Sequence, residues 1–284
     1  MFIAHKNDII FGNFEPLLQF ENKKIWVNQD PPFLVSNICP HQSSLISLKE
    51  GSGNNRTCPY HAWSFTIDGI PISSGNIKYC RNDKILKKDP LFNVEGLILT
   101  KNFNFKNLLK GLNIENLELI EKRVDKVLAA PEKIIDLFLD VDHIPIIHKG
   151  VYDQLGIQNI PENLNWDFYD WGSIQIVRDK GHILFLWITI YPNTMIEYQK
   201  GSMFVTVTME KFYGSDVIVY KYRDNNLKEL WKLNELVWET AWSQDKSQAE
   251  IITELPNKNL EISKVHFRNW LNNYELPSID NRQS

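Results

Sequence analysis

The sequence predicts an α+β fold in two parts: a small all-β domain over residues 1–105, and a second domain over 106–284 built on an antiparallel sheet flanked by helices. Three observations carry that expectation. Short β-rich runs separated by turn residues fill the first hundred positions. Longer β-rich runs follow between 172 and 223, joined by connections too short for crossover helices. Helical spacing is concentrated at 131–143 and 226–255, on either side of those runs.

In order along the chain, IIF, KKIWV and FLVSNI read as strands, with NQDPP at 28–32 as a turn. WSFTI, the Asp68-Gly69 pair and IPI read as a hairpin, and LFNVEGLILT at 91–100 as a closing strand. Residues 101–120 form a connector. EKRVDKVLAA at 121–130 reads as a strand entering the second domain. Pro131 stands at a first helical position, and Ile134, Ile135, Phe138 and Leu139 recur at helical spacing. That spacing predicts one helix over 131–143, stopped by Pro145. Residues 150–166 read as loop. GSIQIVR, HILFLWITIYP, GSMFVTVTMEKFY and DVIVYKYR then read as strands, 226–255 as a long amphipathic helix, and 265–274 as a short one.

With 43% hydrophobic and 23% charged residues the composition is that of an ordinary globular protein. A net charge of −4 and the lack of a Lys/Arg stripe predict no nucleic-acid partner. The strongest apolar run, ILFLWITI, is strand-length, so no transmembrane segment is expected, and MFIAHKNDIIF is not a signal peptide. Three cysteines do not make a disulfide scaffold. A reducing, cytoplasmic location follows, with Cys80 as a structural free thiol.

Two of those cysteines sit in the most informative stretch, CPHQSSLISLKEGSGNNRTCPYH. Cys39 and His41, then Cys58 and His61, give each of two loops one thiolate and one imidazole. A [2Fe–2S] cluster with two Cys on one iron and two His on the other needs such a pair of loops. Zinc is the rival, although its Cys2His2 sites usually place the cysteines together and the histidines later. Four satisfied core residues are the bland alternative.

A second constellation lies at Asp140, His143 and His148. Two histidines five apart are common by chance, and both could be buried and hydrogen-bonded. A site for Fe(II) with open positions needs a third, anionic ligand. Asp245, Glu239 and Glu250 on the long helix all qualify, and spacing does not choose among them.

CPH and CPYHAW resemble the paired signatures of the Rieske domains of Rieske non-haem iron oxygenases, which usually read CPHRG and CPYHGW. Gln42, Ser43 and Ala62 depart from that pattern, and none is a ligand. The Asp140-x-x-His143-x4-His148 run resembles the family's iron-binding signature. QDKSQAE resembles its distal ED-x4-E segment, with Gln244 where Glu is common. The resemblance implies a Rieske [2Fe–2S] domain held by Cys39, His41, Cys58 and His61, and a helix-grip-like catalytic domain with mononuclear Fe(II) on His143, His148 and Asp245. It implies that Asp140 links a Rieske histidine to an iron ligand across a subunit boundary in a head-to-tail homotrimer. It further implies an oxygenase that uses O2 and electrons from a separate NAD(P)H-dependent reductase or ferredoxin. Such an enzyme would hydroxylate, dihydroxylate or oxidatively demethylate a small, largely apolar substrate, aromatic or alicyclic. Phe185, Trp187, Met203, Phe204, Tyr213, Trp231 and Trp238 are candidate pocket residues, each as readily explained as core. The alternatives are an electron-transfer protein whose second domain has lost its iron, and a zinc-stabilised binding module.

Overall fold

The computed structural model describes residues 1–74, 84–103, 105, 108–110, 112–156, 164–179, 181–252 and 262–273. The expected free thiol Cys80 lies outside them. The chain divides into two compact units, Met1–Glu115 and Asn116–Ser284.

Among the described residues the first unit is β, apart from short 3-10 turns. Its strands are β1 (Phe2–His5), β2 (Asn13–Pro16), β3 (Lys24–Val27), β4 (Phe33–Ser36), β5 (Gly51–Ser52), β6 (Asn55–Thr57), β7 (Ser64–Thr66), β8 (Pro71–Ser73), β9 (Lys88–Pro90), β10 (Phe92–Val94) and β11 (Leu97–Leu99). They form a five-stranded sheet in the order β5-β2-β3-β4-β9 and two three-stranded sheets, β1-β11-β10 and β6-β7-β8. The continuous apolar runs of β3 and β4 follow from burial on both faces. Ile25, Val27, Phe33 and Val35 pack towards Cys39, Cys58, Trp63 and Phe65. The alternate residues Trp26 and Leu34 pack with Ile3, Leu17 and Ile98. Cys39 and Cys58 are thus anchored in one of the unit's cores. Gly69 sits at φ +92° between β7 and β8, where a Cβ would lie 2.8 Å from that of Leu86, so the tight turn requires glycine.

The second unit is a seven-stranded antiparallel sheet in the order β12-β18-β17-β16-β15-β14-β13. The strands are β12 (Leu117–Val127), β13 (Leu164–Tyr169), β14 (Gly172–Asp179), β15 (His182–Ile190), β16 (Thr194–Gln199), β17 (Ser202–Lys211) and β18 (Gly214–Asp224). The helices are α1 (Pro131–Phe138), α2 (Ile144–Ile147), α3 (Lys228–Ile251) and α4 (Ile262–Asn273). One face of the sheet packs against α3, where Trp231, Trp238 and Trp242 meet Phe204, Val217 and Val219. Burying such side chains contributes about 2 kcal/mol or more each.

Several elements differ from the sequence expectation. β13 begins within the segment expected to be loop, and TMIEYQ, to which the sequence assigns no element, forms the full strand β16. Its mixed polar composition hides a strand all of whose side chains are buried. The helix expected over 131–143 ends at Phe138. The Asp140 carboxylate accepts the backbone N–H of His143 at 3.2 Å, and this local turn competes with helix continuation. A new short helix then starts, with Pro145 in its first turn, where the missing N–H costs nothing. Asp140 and His143 are therefore joined by a turn and do not share a helical face. Among the described residues no helix is long and apolar enough to cross a membrane.

Candidate metal centres

In the first unit the two cysteine loops have the same backbone wiring. The Cys39 N–H donates to Ser44 O at 2.8 Å, and the Ser43 N–H returns to Cys39 O at 2.9 Å. In the second loop the Cys58 N–H donates to Trp63 O at 2.7 Å, and the Ala62 N–H to Cys58 O at 3.0 Å. Each loop is a closed knuckle that projects the histidine two or three residues beyond its cysteine. Asn37 braces the first one, donating to Asn22 O and Ser47 O and accepting from the Ser47 N–H, all at 2.8 Å. Ser43 and Ala62 both take left-handed backbone, φ +54° and +58°. The departures from the glycine-bearing signature therefore fall on two positions that favour glycine.

Both cysteines are buried and free. Burial pushes the Cys39 thiol up, while the N–H groups of His41 and Gln42 aimed at its sulfur pull the other way. The rings of His41 and His61 meet edge to face at 4.6 Å between centroids, and Trp63 stacks on His41 at 5.1 Å. The Nδ1 atoms of both histidines are buried without a hydrogen-bond partner. Two buried thiols and two orphaned ring nitrogens fit a shared cluster, which supplies the missing bonds.

In the second unit the turn after α1, the end of α2 and the middle of α3 bring His143, His148 and Asp245 together. His148 Nε2 lies 3.0 Å from His143 Nε2 and 3.0 Å from Asp245 Oδ1, and His143 Nε2 lies 3.4 Å from the same oxygen. Asp245 Oδ1 nonetheless accepts no hydrogen bond. Three donor atoms facing one another around a common point fit a divalent cation in a 2-His-1-carboxylate arrangement. His148 Nδ1 is 2.8 Å from Gln244 Oε1. Donation of that N–H leaves Nε2 as the ligating atom. Burial lowers the His143 pKa, but the Asp140 and Asp245 carboxylates outweigh it and carry it up to about 9. Burial raises the Asp245 carboxyl, and the two histidines more than offset this, holding it below the usual carboxylate range. Neither Glu239 nor Glu250 reaches the site. Glu239 pairs with Arg123 and Lys221, and Glu250 accepts from the Leu128 N–H.

Residues 5–79 match the family model of the Rieske [2Fe–2S] domain. Residues 5–79 thus carry a Rieske domain, and its pairing with an intact His–His–Asp site matches the Rieske non-haem iron oxygenase family.

The chain is similar to putrescine 2-hydroxylase of Ralstonia nicotianae, 22% identical over 255 residues, covering 74% of this chain and 68% of that one. A quaternary ammonium Rieske monooxygenase solved with L-carnitine superposes with TM-score 0.68 at 18% identity, over 88% of this chain and 76% of that chain. Naphthalene 1,2-dioxygenase bound to phenanthrene gives TM-score 0.68 at 16% identity, over 88% and 74%. Both structures show likeness of fold.

His143, His148 and Asp245 open onto a cavity between the sheet and α3, within the second unit. Of the candidate pocket residues, Trp187, Phe204 and Trp238 line it. Phe185, Met203 and Trp231 are buried core instead, and Tyr213 is 81% exposed at the end of the β17–β18 hairpin. Residue type alone could not separate these, because lining and core positions use the same large apolar side chains. The sequence reading gave no role to three further side chains. Gln244 orients His148. Lys264 of α4 donates to Asp140 Oδ2 at 2.7 Å, while its neighbour Arg268 donates to Asp136 at 3.0 Å. Glu197 of β16 lines the cavity with 7% exposure. An acidic residue within a buried strand was the available signal, lost because β16 was not recognised. Asp140 Oδ1 stands 3.8 Å from His143 Nδ1, longer than a hydrogen bond, so Asp140 reaches His143 through the backbone N–H.

Proposed function

We propose that this protein is an oxygenase that uses O2 and externally supplied electrons to oxidise a small substrate with a largely apolar body. The convergence of His143 Nε2, His148 Nε2 and Asp245 Oδ1 on one point beside a cavity carries the reading. It also weighs against an electron carrier with a degenerate second domain, which would have no reason to keep the three donors together.

Cys39, His41, Cys58 and His61 would hold the [2Fe–2S] cluster, and His143, His148 and Asp245 the mononuclear iron. The two centres supply electron storage and dioxygen activation when bound. The chain's own residues do the rest. Tyr152 and Trp187 wall the cavity, and burial, then the carboxylates of Glu197 and Asp245, keep the Tyr152 phenol protonated. Asp140 is the candidate link to a Rieske histidine of a neighbouring copy in a head-to-tail homotrimer. A separate reductase or ferredoxin is the electron donor. Hydroxylation, dihydroxylation and oxidative demethylation all fit the site. The relatives range from an enzyme named for putrescine to one solved with phenanthrene, so they leave the substrate class open.

Iron and acid-labile sulfide per chain test the reading. About three iron and two sulfide support it; about two of each in a fully reconstituted protein would rule it out. His143→Ala is expected to remove about one iron while leaving the cluster spectrum unchanged.

A further inference from the structure

Strand register sets Gln175, Trp187, Glu197 and Phe204 side by side across β14–β17, on the face that meets α3. Thr206 lies on the same face, one row along and opposite Met195. A face covered by a helix is ordinarily apolar. Here Glu197, Gln175 and Thr206 are 7%, 2% and 4% exposed, and all three line the cavity. A buried carboxylate is strongly unfavourable unless it is paired. Glu197 accepts from Gln199 Nε2 at 2.5 Å and from the Trp187 indole, both neutral donors. Among the described residues no lysine or arginine pairs with it. Lys221, two strands away in the same row, is taken by Glu121, Glu235 and Glu239. Gln175 Nε2 and Thr206 Oγ1 are buried without any hydrogen-bond partner. Burial carries the Glu197 carboxyl up to about 7, so one wall of the cavity holds an ionisable carboxyl without a cation and two polar groups without partners.

Building on the oxygenase reading, we infer that the substrate is a small organic ammonium cation whose charged nitrogen is held by the Glu197 carboxylate. The Thr206 hydroxyl accepts a further N–H from it, and the faces of Trp187 and Trp238 accept the cation and its hydrocarbon part. A neutral hydrocarbon would leave the Thr206 hydroxyl without a partner and the Glu197 carboxyl without a cation. An anion would meet both Glu197 and Asp245.

The test compares n-butylammonium with 1-butanol, similar in size and uncharged, by calorimetric titration of the holoprotein at neutral pH without electron donor. The wild-type protein is expected to prefer the ammonium roughly tenfold or more, and Glu197→Gln to abolish that preference while 1-butanol binds as before. Equal or tighter binding of 1-butanol by the wild type overturns the inference, as does a preference that survives in E197Q. Should E197Q fail to fold, the wild-type comparison alone decides. Iron and sulfide analysis of the same preparation separates this inference from the reading beneath it. A protein with both metal centres that prefers 1-butanol keeps the oxygenase reading and loses the cation site. Ammonium preference in a protein that binds only the cluster does the reverse.

Discussion

Gln244 Oε1 lies 2.8 Å from His148 Nδ1, on the turn of α3 that also carries Asp245. One helical segment thus supplies an iron-ligand candidate and the group that fixes the tautomer of another. Such outer partners are worth about 10–100-fold in metal affinity. Gln244→Leu is expected to weaken iron binding by that order and to leave the cluster intact. Gln244→Glu, a stronger acceptor, should retain iron. Competition with a graded chelator measures both, and unchanged iron affinity in Gln244→Leu would remove the proposed role.

Asp140 is held by Lys264 at 2.7 Å and by the His143 N–H at 3.2 Å, a charged and oriented carboxylate beside the iron site. Asp140→Asn keeps the turn and removes the charge. If the carboxylate links the two centres, single-turnover reoxidation of the cluster should slow by about tenfold or more at unchanged iron and sulfide content. Wild-type rates in stopped-flow absorbance would show that the link lies elsewhere.

Ser43 and Ala62 each hold left-handed backbone in the cysteine loops. Relief of that strain, set against the greater freedom of glycine when unfolded, predicts a net gain of up to about 1 kcal/mol for Ser43→Gly and for Ala62→Gly. Thermal unfolding of the holoprotein should shift upward for each variant. A fall would mean that the side chains make contacts worth more than the strain.

Arg123 joins Glu121, Asp125 and Glu239, and Asp125 also accepts from the Trp242 indole at 2.7 Å. Burial raises these carboxyl groups, but the bonds to Arg123, Lys221 and Trp242 outweigh it, so each pKa lies below its ordinary value. A depressed folded pKa gives stability that is present above the unfolded value and lost as pH falls through the folded one. Arg123→Met should therefore unfold at lower temperature than wild type near neutrality. The gap should narrow below about pH 4. A gap constant across that range would assign the arginine's contribution to packing over Trp238.

Much of this was readable before any coordinates. Cys39, His41, Cys58 and His61 could be picked out because a cluster site needs unusual residue types at close spacing, and few other demands put them there. The antiparallel sheet followed from short connections between apolar runs. β16 was not readable, since TMIEYQ owes its burial to the strands on either side and to α3. The end of α1 at Phe138 was equally hidden, because a carboxylate turn at Asp140 overrode helical periodicity.

The sequence by itself determined the cluster loops, the candidate status of His143 and His148, and the two-part α+β plan. Local spacing encodes each of these. Spacing left Asp245 level with Glu239 and Glu250, and the QDKSQAE resemblance pointed to Asp245. Tertiary structure supplies the reason, because facing the histidines from α3 depends on how that helix lies across the sheet. It also separated cavity lining from core among the aromatics and placed Glu197 in the cavity wall without a cation. Those are properties of cross-strand register and packing, set by residues far apart in the chain.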